Sequence, residues 1–177
     1  MQERFMVVEC FGDSIFVEML RYSAAKVHSG NGDVINTLKK KYNEKFGIGV
    51  IDFDKGVWPG DLKKESTTVI RKDDRQNLLL LKHNERSHYF VVLTPEFENW
   101  IDSAAREKEV ERARFRGLPK DFEKFKSLCK TQKIEETEFK NYLNTIIQKK
   151  SPRITAFHSF VQEAFQHYQK HAKKKRK

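Results

Sequence analysis

Cysteine is scarce in this chain: Cys10 and Cys129 are the only two among 177 residues. Thiols so far apart make neither a CxxC pair nor a disulfide framework, which agrees with a reducing compartment. No apolar run approaches the roughly 20 residues needed to span a bilayer, so no membrane partner is expected. The start Met1-Gln2-Glu3-Arg4 leads directly into an apolar run, without the basic segment, apolar helix and small-residue cleavage site of a signal peptide. These absences predict a cytoplasmic, intracellular protein. Internal repeats are missing, and no GxxxxGK[ST] phosphate loop occurs, so any associated P-loop ATPase would be a separate chain.

What is present is a soluble composition, 38% hydrophobic and 34% charged, in a length that suits one domain with a helical appendage. Of the formal net charge of +10, six Lys or Arg fall in the tail 170–177, which has no acid. Such a tail reads as a solubilising end or as a nonspecific phosphate binder whose affinity falls with salt. In a nucleated cell it would also pass for a nuclear-import signal.

Apolar patterning predicts an α/β chain. Strands are expected near 4–9, 24–27 and 48–51, with helices over 14–22 and 34–46 between them. Strand, helix, strand, helix, strand implies right-handed crossovers and a parallel sheet. A polar loop follows Asp54, and then two apolar runs, 78–81 and 89–93, read as a further pair of strands or a hairpin completing the sheet. Thr94-Pro95-Glu96 suits a helix start, with Thr94 capping and Pro95 at the first helical position. Beyond it the pattern turns helical, with segments at 121–131, 135–148 and 154–170. The expected division is an α/β domain over 1–104, a helical extension packed on it over 105–169 and the basic tail 170–177.

Two acidic motifs sit at strand ends. Phe5-Met6-Val7-Val8-Glu9 is followed four residues later by Asp13, and Ile48-Gly49-Val50-Ile51 delivers Asp52 and Asp54. Parallel α/β sheets place their chemistry just outside the carboxyl ends of such strands. Carboxylates gathered there would repel one another unless a cation sat among them, and hard oxygen donors suit Mg²⁺ or Mn²⁺.

This placement resembles the Toprim domain, and more closely the small nucleases of the overcoming-lysogenization-defect type than the topoisomerases. The resemblance covers roughly 4–100 and rests on E-x-x-x-D after the first strand and D-x-D after the third. It implies a Toprim-like, Rossmann-like parallel-sheet core and a divalent-metal-dependent nuclease or related phosphoryl-transfer enzyme acting on DNA or RNA. Glu9, Asp52 and Asp54 would be catalytic, and Glu9, Asp13, Asp52 and Asp54 would hold the metal. Glu98 is a further candidate acid. His28, Gly30 and Gly32 form a glycine-rich loop whose backbone NH groups would receive a phosphate at the next helix start. Where the family usually has Gly after its Glu, this chain has Cys10, which predicts a different turn there. No catalytic tyrosine context accompanies the acids, so strand passage is not expected.

Other readings stand beside this one. Asp52 and Asp54 also suit a strand end, and Glu9 and Asp13 a loop with a helix cap. His83 and His88 flank a charged turn and read as solubilising it, while Trp58 and Trp100 read as core or lid aromatics and Cys10 as a buried small residue. Two alternative functions follow: a noncatalytic Toprim-like module working with a partner such as an ATPase, and a phosphatase-like hydrolase using the D-x-D motif.

Overall fold

Near-continuous apolar runs along the central strands account for a sheet buried on both faces. The computed structural model describes residues 5–27, 31–43, 45–53, 62, 64–131 and 136–174. Six strands, β1 (Phe5–Val8), β2 (Ser23–Lys26), β3 (Gly47–Asp52), β4 (Thr67–Asp73), β5 (Leu78–His83) and β6 (His88–Leu93), form one sheet in the order β2-β1-β3-β6-β5-β4. β1 is parallel to β2 and β3, and β3 is parallel to β6. β5 runs antiparallel to both β6 and β4. The α/β class therefore holds, with a mixed sheet in place of a wholly parallel one. β4 is an addition to the sequence reading. Its β-branched run Thr67-Thr68-Val69-Ile70 carried the signal, but an edge strand with one open face lacks the solid apolar character of its neighbours.

Among the described residues there are six α-helices: α1 (Phe11–Met19), α2 (Asn31–Lys41), α3 (Phe97–Arg106), α4 (Phe122–Lys130), α5 (Glu136–Gln148) and α6 (Pro152–Lys174). α2 covers one face of the sheet, its Val34, Ile35 and Leu38 packing on Val7, Ile51, Phe90 and Val92, with Leu62 buried in the same cluster. Gly49 makes this approach feasible, because a Cβ there would lie 2.9 Å from both the Val34 and the Phe90 side chains. The alternate residues Met6, Val8, Val50, Tyr89 and Val91 face the other way, into a larger core built with α1 and α3 to α6. Trp100, Phe125, Phe139, Phe157 and Phe160 are all fully buried in that core.

Helix ends differ from expectation at several points, and α2, expected over 34–46, is Asn31–Lys41. α1 opens at Phe11, with Cys10 as its N-cap, so Asp13 lies inside the first turn. α3 opens at Phe97 after Glu96; Pro95 precedes the helix and its peptide bond with Thr94 is cis. α6 is 23 residues long and carries Lys170 and the next four residues as helix, where a frayed tail was the simplest reading. Pro152 sits at its first position, where a missing N–H costs nothing. Among the described residues no helix is long and apolar enough to cross a membrane.

Candidate functional site

β1 and β3 are adjacent and parallel, with Met6 opposite Ile48 and Val7 opposite Gly49, so Glu9 and Asp52 leave the sheet at the same edge. On its other side Asp52 pairs with Leu93, the last residue of β6, and the chain turns from there into α3. The Phe97 backbone N–H donates to Asp52 Oδ1 at 2.9 Å. Asp52 thereby meets the positive end of the α3 dipole and satisfies one of its open donors.

α1 begins directly after Glu9. Asp13 Oδ2 accepts the Cys10 N–H at 3.0 Å, the reciprocal half of a capping box. Cys10 itself adopts φ −121° and ψ 177°, extended backbone that any residue can take, so the turn does not demand glycine. The next residue does: a Cβ on Gly12 would come within 3.1 Å of the Phe97 ring and 3.3 Å of Cys129 Cβ. Gly12 therefore lets the first turn of α1, the first turn of α3 and the last turn of α4 touch. That contact carries Asp13 towards Glu98, the second residue of α3.

Glu9, Asp13, Asp52 and Glu98 thus come together, and Asp13 and Asp52 show it in their proton affinity, while Glu98 responds chiefly to burial and to Glu96. Asp13, 3% exposed, is pushed up to about 7, by burial first and then by Glu98, with the Cys10 N–H opposing. Asp52 is held well above the usual carboxylate range by burial, followed by the charges of Asp13, Glu9 and Glu98. Glu98, 1% exposed, is raised by burial, with Lys130 and Lys126 pulling the other way. Among the described residues Asp13 Oδ1 and both Glu98 carboxylate oxygens have no hydrogen-bond partner. Buried acceptors without donors are rare in folded proteins and need a physical reason. Either the acids hold protons or a cation completes them.

The sequence reading missed the cations around this cluster. Lys126 Nζ lies 2.6 Å from Glu96, whose carboxylate also accepts from Asn99 at 2.7 Å. Lys130 follows one turn later on α4, and Lys26 at the end of β2 sits over the Phe11 ring at 4.4 Å. Two lysines four apart on a helix are the only sequence signal, and they reach the acids solely through the Gly12 contact. Cys10 gains no reactivity here. Burial first, and then Asp13, push its thiol far up, so it stays protonated.

Asp54, His28 and Gly30 lie outside the described residues. Gly32 stands exposed in the first turn of α2. That helix starts at the same edge, since Val27 N–H donates to the Val8 carbonyl at 2.9 Å and so brings the end of β2 beside the end of β1. His83 and His88 do not merely solubilise a turn. They are 6% and 1% exposed, and His88 Nε2 bonds the Tyr42 carbonyl at 2.7 Å.

The donor set bears on a divalent ion in two ways. Its oxygens are hard carboxylates, three of them buried without a donor, which suits Mg²⁺ or Mn²⁺. Among the described residues, however, no three His, Cys, Asp or Glu are grouped tightly enough to cage a metal. Mg²⁺ seldom has such a cage; one or two carboxylates, water and substrate phosphates usually hold it. The residues therefore fit an ion bound at an open edge. No protein-family model, no curated protein and no solved structure matches this chain.

Proposed function

We propose that this protein is a divalent-metal-dependent nuclease or related phosphoryl-transfer enzyme acting on nucleic acid, with a Toprim-like core. One observation carries the reading: four carboxylates from two adjacent strand ends and two helix starts meet at one edge, and two of them are buried with unpartnered oxygens. A binding face that needed only hydrogen bonds would not retain such charge.

Asp52, fixed by the Phe97 N–H, and Glu9 would hold Mg²⁺ or Mn²⁺, with Asp13 and Glu98 closing the inner side. When bound, the ion would polarise a phosphodiester and lower the pKa of attacking water. The protein side of the chemistry is electrostatic. The starts of α1, α2 and α3 all face this edge and favour a phosphate there. Lys126 and Lys130 stand where they offset charge on Glu96 and Glu98. Asp13, with its proton affinity near neutrality, is the group best suited to exchange a proton during turnover.

The test is cleavage of DNA and RNA with Mg²⁺ or Mn²⁺. Activity is expected to need the ion and to fall by at least about a hundredfold in Asp52→Asn, as when a transition-state contact is lost. Full activity in that variant, with the fold intact, rules out the role.

A second reading is favoured by Asp52 already serving α3 as a cap: a noncatalytic module working with a partner protein. Calorimetry showing no Mn²⁺ binding, together with a stoichiometric partner on purification, would replace the nuclease by this reading.

A further inference from the structure

A group of cations lies at the opposite end of the sheet from the acids. β3 and β6 both begin there, with Gly47 opposite His88. The β5 to β6 turn and the carboxyl end of α2 share that end, because Arg86 donates to Asn43 Oδ1 at 3.0 Å. α6 arrives from more than a hundred residues away. Phe46 packs on Tyr168 with ring centroids 4.8 Å apart, and Tyr89 and His167 share a hydrogen bond of 2.8 Å.

Three segments thus pool their charges: Lys39, Lys40, Lys41 and Lys45 around the end of α2, Lys82 and Arg86 around the turn, and Lys170 on α6. Lys40, Lys41, Lys45 and Lys170 are exposed, and no ion pair ties them to a carboxylate among the described residues. Among the described residues the acids near that end are Glu85 in the turn, Glu65, whose backbone carbonyl accepts from Asn84 at 3.0 Å, and Glu163, which is bound to Arg71 at 3.2 Å. Three imidazoles register the common field. His83 and His88 are held low by burial first and then by Arg86 and Lys39 among other charges. His167 is held low by burial, then by His171, Lys82 and Lys170.

A cationic surface serves phosphates of nucleic acid or of lipid, and the surroundings favour the first. Membrane-surface helices insert apolar side chains beside their cations. Here the only exposed large hydrophobic residue among those described is Val69, on β4. The end of α6 exposes Gln166, Gln169 and Lys170 instead.

We infer that the amino edge of the sheet is a docking surface for the phosphate backbone of a nucleic acid, separate from the carboxylate edge. The surface rests on its own charges; only its bearing on turnover depends on the nuclease reading. β3, six residues long, separates the two edges by roughly 20 Å at about 3.3 Å per residue. A nucleic acid touching both must therefore cover roughly six or more nucleotides at about 3.4 Å each.

The experiment is fluorescence anisotropy with a labelled DNA duplex and a labelled single-stranded RNA of about 30 nucleotides, in EDTA, at about 50 and about 200 mM salt. The variant is Lys40→Glu/Lys41→Glu/Lys170→Glu, checked for native circular dichroism. The triple variant is expected to bind at least one of these probes at least about tenfold more weakly at low salt, with a log–log salt slope shallower by about 2 to 3. Equal binding by the triple variant to both probes overturns the docking surface. Loss of binding to phosphatidylserine vesicles without loss on nucleic acid overturns it in favour of a membrane. Because the readout is binding without metal, a failure of the nuclease reading leaves this outcome unchanged.

Discussion

Asp13 is a residue whose ionisation bears on the stability of the fold. Its pKa in the folded chain, about 7, stands above the ordinary carboxylate value of 3.8. Between those values the folded state holds a proton that the unfolded state has released, so stability falls as pH rises through the window. Asp52 and Glu98 are shifted in the same direction and add to the trend. Without divalent ions, thermal melts should therefore show Tm declining from about pH 4 to about pH 7, with Mn²⁺ restoring it at the upper end. Asn at position 13 keeps an acceptor for the Cys10 N–H and removes the charge. Asp13→Asn should melt higher than the unaltered chain near neutral pH in EDTA and gain less from Mn²⁺. A Tm that climbs with pH in EDTA would contradict the assigned shifts. Glu9, Asp13 and Asp52 were legible in the sequence because each follows or ends an apolar run. Glu98 was only weakly so, since its place depends on where α3 begins, and Lys126 and Lys130 were invisible because nothing local ties α4 to β1.

The contact that gathers these groups is made by elements, and Gly12 is its narrowest point. Phe97 Cε1 and Cys129 Cβ stand 3.1 and 3.3 Å from where a Cβ would be. A branched side chain there must push α1 away from α3 and α4. Gly12→Val should cost about 1–3 kcal/mol in urea unfolding, the usual range for an overfilled core, and should weaken Mn²⁺ binding in parallel. Unchanged stability would show that the three helix ends have slack. At this scale the sequence showed helix type and number well and boundaries less well. α1 starts three residues before the expected Ser14, because Cys10 takes the cap position while the stronger capping residue, Asp13, serves from within the turn. α3 starts after Pro95 because Asp52, a residue from another strand, holds its first N–H.

At the scale of the whole molecule, one apolar core joins the sheet to the carboxyl-terminal helices. Phe16 of α1, with ring centroids 5.6 Å from Phe97 and 5.1 Å from Phe157, links all three regions. A chain ending at 104 would leave the sheet face bearing Met6, Val50 and Val91 without α4 to α6, and it should neither unfold cooperatively nor stay monomeric. A sharp two-state melt of that fragment would show that the helices are accessory. The parallel half of the sheet was legible from its strand and helix alternation, and the antiparallel β5–β6 pair from its two apolar runs around a charged turn; β4 was not, because it is half exposed. The two poles of charge were hidden as well, since 130 residues of sequence separate Lys40 from Lys170.

The room that Gly12 denies also bears on how such a site would decay. Helices locked this closely cannot drift apart to ease repulsion between buried acids, so a lineage that no longer meets its ion has one cheap remedy, which is to replace the acids. Descendants with an idle site are expected to keep the glycine and lose Asp13 and Glu98 before Asp52, which still has a helix to cap.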